Sequence, residues 1–424
     1  MANMASRERV RKAINFEEPD RVPIDVGGTK VTGICIDAYC DLIRHLDMDV
    51  GLPTVYEQFG MLGRIDEPVR ERLHSDVIEL ENPSEAWGLE NRDFRPWKTG
   101  VGNDVLMPGN FNPVIDNDGY LYIRDAEGNP LAFMPAQNGL YFERACVTTM
   151  SAEIAKMDPK VWQQSIPLYK DEHLRMLEER GRSLHEHTQY SIHGGFLRGM
   201  MGSNGIFAGH TIADWLCVLA TERDYAFSIL QATAERNVEN LKLYLQAVGD
   251  CIDTILISGT DFGTQGGELF SPGIFRDLYI PNIKRMNDYV HEHSHAKTMY
   301  HSCGAVFDLI EHFIEAGIDI LNPVQVEAAN MDARRLKERF GGRIVFWGGG
   351  VDTQKTLPHG TVQDVQDQVH ERTEIFAPGG GYVFAAAHDL QYGVPPENIL
   401  AMVDAALESG THRAQAPGAA PGCD

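Results

Sequence analysis

Cysteine is scarce in this chain of 424 residues: seven, at positions 35, 40, 146, 217, 251, 303 and 423, odd in number and without any C-x-x-C pair. That scatter excludes a disulfide framework and a zinc finger, and leaves most of these residues as small buried groups or free thiols. Positive charge is short as well. Lys and Arg number 37 against 61 Asp and Glu, a formal charge of −24, which repels a phosphate backbone and argues against nucleic acid as a partner. No apolar run approaches the ~20 residues that a membrane helix needs. The opening MANMASRERVRKAINFEEPDR lacks the apolar core of a signal peptide, so the expected location is the cytoplasm and the expected partners are small molecules. Neither a G-x-x-x-x-G-K-[ST] phosphate loop nor a G-x-G-x-x-G fingerprint occurs, which counts against ATP hydrolysis and dinucleotide oxidoreduction.

What is there reads as a compact globular chain, since apolar residues make up 43% and charged ones 23% of the sequence. The opening RERVRKAINFEEPDRVPIDVGGT predicts a helix stopped near Pro19, then a strand VPIDV running into a Gly-Gly-Thr turn. SDVIEL, residues 75 to 80, is a second candidate strand. From about residue 87 to 145, short aromatic and β-branched runs are broken by Asn-Asp-Gly, Glu-Gly-Asn-Pro and Gln-Asn-Gly. These are hairpin signals and predict an antiparallel insertion in the N-terminal third.

Beyond residue 150, amphipathic helical patterns alternate with YSIHG, TILISG, TMYHS, IDILNP, RIVFWGG and YVFAAA. GAVFDLIEHFIEAG has apolar residues at helical spacing and ends at a glycine. Alternation of this kind implies parallel strands with right-handed crossovers, and VPIDV and SDVIEL bring the strand count to eight. The expected fold is α/β, a single (β/α)8 TIM barrel over residues 1–410 with the insertion at about 87–145. The tail GTHRAQAPGAAPGCD is rich in small residues and proline and reads as a disordered end over 411–424.

In a barrel, chemistry sits just past the C-terminal ends of the strands. Asp25, Asp261, His301, Cys303, Gln325, Asp352 and His388 are expected there. His301 and Cys303 are one residue apart, so on a strand they project to the same side. They are either a buried histidine beside a core thiol or two ligands of a metal, with His388 a candidate third ligand or a hydrogen-bonding histidine. Zinc takes such nitrogen and sulfur donors, and a catalytic site keeps a fourth position open to hold a thiolate or polarise a hydroxyl. Asp25, Asp261 and Asp352 are either site residues or loop caps. The runs Gly348-Gly349-Gly350 and Gly379-Gly380-Gly381 either admit a ligand close to the backbone or form sharp turns. HEHSH, 291 to 295, reads as a solvated helix end.

TDFGTQGGELFSPGIFRDLYIPNIKRM, HSCGAVFDLIEHFIEAGIDILNPVQ, FWGGGVDTQKTLPHGT and PGGGYVFAAAHDLQYGVPPENILAMVDA, in that order, resemble the uroporphyrinogen decarboxylase superfamily, in particular its methyltransferase-like members. EEPDRVPIDVGGT resembles the family's opening. The resemblance implies a barrel with its cavity at the C-terminal face. In the decarboxylase branch, which needs no cofactor, an arginine-bearing loop grips the substrate's carboxylates; here DVGGTKVTG stands in that place. Asp76 would match that branch's aspartate, and His388 its histidine. The methyltransferase branch carries a His-x-Cys pair and a later Cys as zinc ligands. His301 and Cys303 match the pair, and His388 stands where the later Cys would be.

The strand-end residues and the resemblance together leave three readings. The first is a zinc methyltransferase, with zinc on His301, Cys303 and His388, catalytic roles for Asp76, Asp261 and His388, and Asp25, Gln325 and Asp352 lining the substrate. It would transfer a methyl group between a small methylated compound and a thiol or a corrinoid. No D-x-H-x-x-G signature occurs, so any corrinoid would arrive on a partner protein. The second is a metal-free decarboxylase acting through Asp76 and His388. The third is a non-catalytic barrel that binds a small ligand or docks a corrinoid protein. A homo-oligomer fits any of the three.

Overall fold

A computed structural model of the chain describes residues 4–145, 156–196, 201–202 and 206–411. Cys146, Cys423 and all but the first residue of the expected tail lie outside the described residues. Seven parallel strands form one sheet in strict chain order: β1 (Val77–Leu80), β2 (Ser191–Gly194), β3 (Thr254–Ser258), β4 (Lys297–His301), β5 (Ile320–Asn322), β6 (Val345–Trp347) and β7 (Tyr382–Val383). Segment 22–26 lies between the two edges of this sheet. Ile24 bridges Phe384, just past β7, in parallel. Asp25 N–H donates to the Phe384 carbonyl at 2.8 Å, and Asp76 N–H, just before β1, donates to the Ile24 carbonyl at 2.7 Å. Hydrogen bonds therefore run round the whole ring, and the architecture is a TIM-like α/β barrel.

The alternation along each strand explains how one ring makes both a floor and a site. Val77, Leu256, Met299, Ile320, Val345 and Val383 pack together inside the ring. Helix Ser6–Ile14 contributes Val10 and Ile14 to the same cluster. Each buried aliphatic side chain of this kind stabilises the fold by about 1.5–3 kcal/mol. Inward-facing positions recur every second residue. Two residues further along the strands come Glu79, Ser258, His301, Asn322, Trp347 and Ala385, and the β1–β2 register puts His193 beside Glu79. The floor is apolar and the layer above it is largely polar.

Outside the ring, helices cover the sheet. Val362–Phe376 is typical: a Thr361/Asp364 capping box starts it, and Val365, Val369, Thr373 and Phe376 bury one face. The opening helix ends at Ile14, earlier than the position of Pro19 suggests. Phe16 turns the chain there with φ 60°. The 304–317 pattern forms a short 3-10 turn, Phe307–Leu309, then the helix Ile310–Glu315.

The insertion is antiparallel as expected and larger than one hairpin. Arg95–Lys98 pairs with Asp104–Met107, and a separate four-stranded sheet joins Val114–Ile115, Tyr120–Arg124, Pro130–Pro135 and Glu143–Arg144. Its turns fall at the residues that tolerate positive φ, Gly119, Gly128 and Asn138. Among the described residues no helix is long and apolar enough to cross a membrane.

Candidate metal centre

His301 ends β4 and its ring faces the barrel mouth. Its Nδ1 lies 2.6 Å from Asn322 Oδ1, on the neighbouring strand. The Asn322 amide can turn only one way, because its Nδ2 donates to the Trp347 carbonyl at 3.1 Å. Oδ1 is therefore an acceptor facing Nδ1–H, and the Nε2 lone pair is left free. That is the tautomer a metal ligand needs. Nε2 lies 3.3 Å from the Cys303 sulfur.

Cys303 is past the strand end, so the loop and not the pleat aims it. Its N–H donates to Asp261 Oδ1 at 2.8 Å, and the next N–H, of Gly304, donates to Gln325 Oε1 at 2.5 Å. Gly304 has φ 88°, and a Cβ there would lie 2.5 Å from the Gly263 carbonyl carbon, so only glycine makes this turn. His388 arrives from the far side of the ring, beyond β7, with its ring centroid 5.5 Å from that of His301. One ligand atom from each of His301, Cys303 and His388 lies within 4.8 Å of the other two. Asp389 N–H donates to His388 Nδ1 at 2.8 Å.

Electrostatics favour neutral donors that a cation would convert. Burial lowers both histidines, so they are neutral bases near pH 7. Burial first, and the Asp261 charge second, push the Cys303 thiol up. A divalent ion reverses that penalty by binding the thiolate. Two nitrogens and one sulfur are a donor set that fits a three-ligand zinc site. Asp389, buried beside His388, is pushed up to about 7 chiefly by burial and accepts from Gly33 N–H.

The remaining expected residues separate into four places. Asp261 and Gln325 stand beside the cluster but spend one oxygen each on the Cys303–Gly304 backbone, which makes them supports of the loop. Asp25 lies inside the ring, where its carboxylate accepts from Trp347 Nε1, the Thr32 hydroxyl and Gly28 N–H; burial pushes it up to about 6. Asp352 caps its own turn, accepting from the N–H groups of Gln354 and Lys355. Asp76 precedes β1, at the opposite end of the barrel, and its oxygens are held by Arg9, Arg21 and Ser6. It does not join the cluster.

The glycine runs are turns packed on their own chain: a Cβ at Gly350 would meet Phe384 at 2.2 Å, and one at Gly380 the Glu17 carbonyl oxygen at 2.6 Å. His291 and His295 pair with acidic neighbours, and His293 is exposed.

Asn322 and Asp389 were not legible as site residues, although each lies within a quoted motif. The signal for Asn322 was a polar residue at an inward strand position. We expect Asn322→Ala to weaken zinc affinity about 10–100-fold through loss of His301 orientation, while Asn322→Asp retains most of it. Competition titration against a zinc chelator reads both.

Residues 205–409 match the family model described as uroporphyrinogen decarboxylase (URO-D). No curated protein matches the chain. Among solved structures, a methyltransferase from Methanosarcina mazei is similar over 96% of this chain and 99% of its own, at 17% identity and TM-score 0.55. Apo homocysteine methyltransferase MmuM from Escherichia coli is 11% identical over 61% of this chain and 78% of its own, with TM-score 0.27. PbGH5A, a glycoside hydrolase family 5 enzyme from Prevotella bryantii B14, is 10% identical over 60% of this chain and 100% of its own, with TM-score 0.29. The 0.55 match supports the barrel fold, and the other two add nothing to it. Residues 205–409, just under half of the chain, are therefore similar to the uroporphyrinogen decarboxylase (URO-D) family.

Proposed function

We propose that the protein is a zinc-dependent methyltransferase on a (β/α)8 barrel, moving a methyl group between a small O- or N-methylated compound and either a thiol or a corrinoid held by a separate protein. The observation that carries this reading is the convergence of His301, Cys303 and His388 from two distant strand ends into one three-donor group. Zinc, when bound, supplies a Lewis acid that holds a thiolate or polarises the heteroatom bearing the methyl group. The protein's own part is positional. Asn322 sets the His301 tautomer, Asp261 and Gln325 fix the loop of Cys303, and the apolar floor under the site excludes water from below. The fold shared with the Methanosarcina methyltransferase fits this reading without establishing the reaction.

The decarboxylase alternative has less support, because Asp76 and His388 lie at opposite ends of the barrel and cannot flank one substrate. The test is metal analysis of purified protein, followed by methyl transfer from methylamines and methoxyphenols to reduced cobalamin, read by absorbance. Bound zinc and methylcobalamin formation are expected. Wild-type protein with no stoichiometric zinc would remove the mechanism.

A further inference from the structure

Across the mouth from the metal donors, the first strands of the ring end in polar side chains that the metal site leaves unused. Glu79 and His193 are register partners on β1 and β2. Lys30, from the loop after segment 22–26, lies 2.8 and 3.0 Å from the two Glu85 oxygens and 3.5 Å from Glu79 Oε1. The Tyr56 hydroxyl donates to Glu79 Oε2 at 3.0 Å. Asn82 Nδ2 donates to the Gly195 carbonyl at 2.5 Å. Gly195 is the hub: a Cβ there would lie 2.5 Å from Glu79 Oε1, 3.4 Å from Lys30 Cε and 3.5 Å from Asn82 Nδ2. Lys30, Glu79, Asn82 and His193 are each more than nine-tenths buried.

Two separate deficits meet here. The first is charge. Glu57, Glu79 and Glu85 face a single Lys30, and burial first, with Glu85 adding, pushes Glu57 up to about 7; burial likewise takes Glu79 up to about 8, against the pull of Lys30. The second is hydrogen bonding. Glu79 Oε1, Asn82 Oδ1 and His193 Nε2 are buried with no hydrogen-bond partner among the described residues, while His193 Nδ1 is engaged by the Thr254 hydroxyl at 2.8 Å. Buried polar atoms without a partner are rare in folded proteins; the Glu79 and Asn82 oxygens are acceptors and point to a missing donor.

We propose that this half of the mouth binds the ammonium group of a small amine. An ammonium brings several N–H donors and one positive charge, which answers both deficits at once. A hydroxyl would supply a donor without the charge, and a quaternary ammonium the charge without the donor. The proposal rests on the methyl-transfer reading only in taking this amine as the methyl-bearing or methyl-accepting substrate of the same mouth.

Calorimetric titration of the full chain with n-propylammonium, tetramethylammonium, n-propanol and propionate tests it, with zinc measured on the same sample. Saturable binding of n-propylammonium is expected, with the other three probes weaker by about tenfold or more. Glu79→Gln, nearly isosteric, should weaken propylammonium by about tenfold with zinc content unchanged, and Asn82→Ala should weaken it to a lesser degree. Propylammonium binding no tighter than propanol, or binding unaltered in Glu79→Gln, overturns the assignment. Ammonium binding by protein that holds no zinc would sustain this site and remove the methyltransferase reading; zinc without ammonium binding would do the opposite.

Discussion

Cys303→Ala is expected to take the protein from about one zinc per chain to a small fraction of that, with loss of affinity beyond the 10–100-fold typical of outer-shell changes. The sulfur is the only anionic donor of the three, so its removal takes away both a bond and the charge that offsets the ion. The fold should survive. The residue is half-buried, and the bond that shapes its loop, Cys303 N–H to Asp261, belongs to the backbone and persists in alanine. Affinity in the wild type should also fall as pH falls. The thiol sits above its ordinary range, zinc must displace its proton, and each step toward acid makes that displacement harder. Metal analysis of wild type and variant, with chelator competition at two pH values, reads both effects. A variant that keeps stoichiometric zinc would show that Cys303 is not a ligand.

Asp76→Ala is expected to destabilise the fold by about 3–5 kcal/mol, because it removes the buried carboxylate that Arg9 and Arg21 share and leaves Arg21 without it. Asp76 is fully buried. Oδ1 accepts from Arg9 Nη1 and the Ser6 hydroxyl at 2.7 Å and from Arg21 Nη2 at 3.0 Å; Oδ2 accepts from Arg21 Nη1 at 2.7 Å and Ile24 N–H at 2.9 Å. Those contacts join the opening helix, segment 22–26 and β1, the three pieces that meet where the ring closes. Arg9 keeps Asp20 as a partner, but Ile24 N–H is left without a partner inside the protein. A urea titration should show a lowered midpoint at unchanged slope, with zinc content intact in the folded fraction. A catalytic acid would give the reverse, full stability with lost turnover.

Much of the barrel was legible because its strands announce themselves locally. YSIHG, TILISG, TMYHS, IDILNP and RIVFWGG all became strands, since short buried parallel strands read as β-rich runs ending in polar or glycine residues. VPIDV was visible as an extended run, yet only Ile24 makes a ladder bridge, because the chain turns at Gly27 before a longer ladder can form. The opening helix stopped early for a reason invisible to periodicity: Phe16 takes positive φ, and Gly380 and Gly381 pack against Phe16 and Glu17.

The sequence by itself determined the alternation that makes an α/β ring, the nearness of His301 and Cys303, and the family likeness of residues 205–409. These are properties of neighbours along the chain, where strand and helix geometry fix the spacing. Only the tertiary structure decided that His388 joins that pair, that Asp76 belongs to the other end, that Asn322 faces His301 Nδ1, and that Glu79, Asn82 and His193 share one corner. Closing a ring brings residues from distant strands onto one face, and which of them meet depends on strand register, which local pattern does not carry.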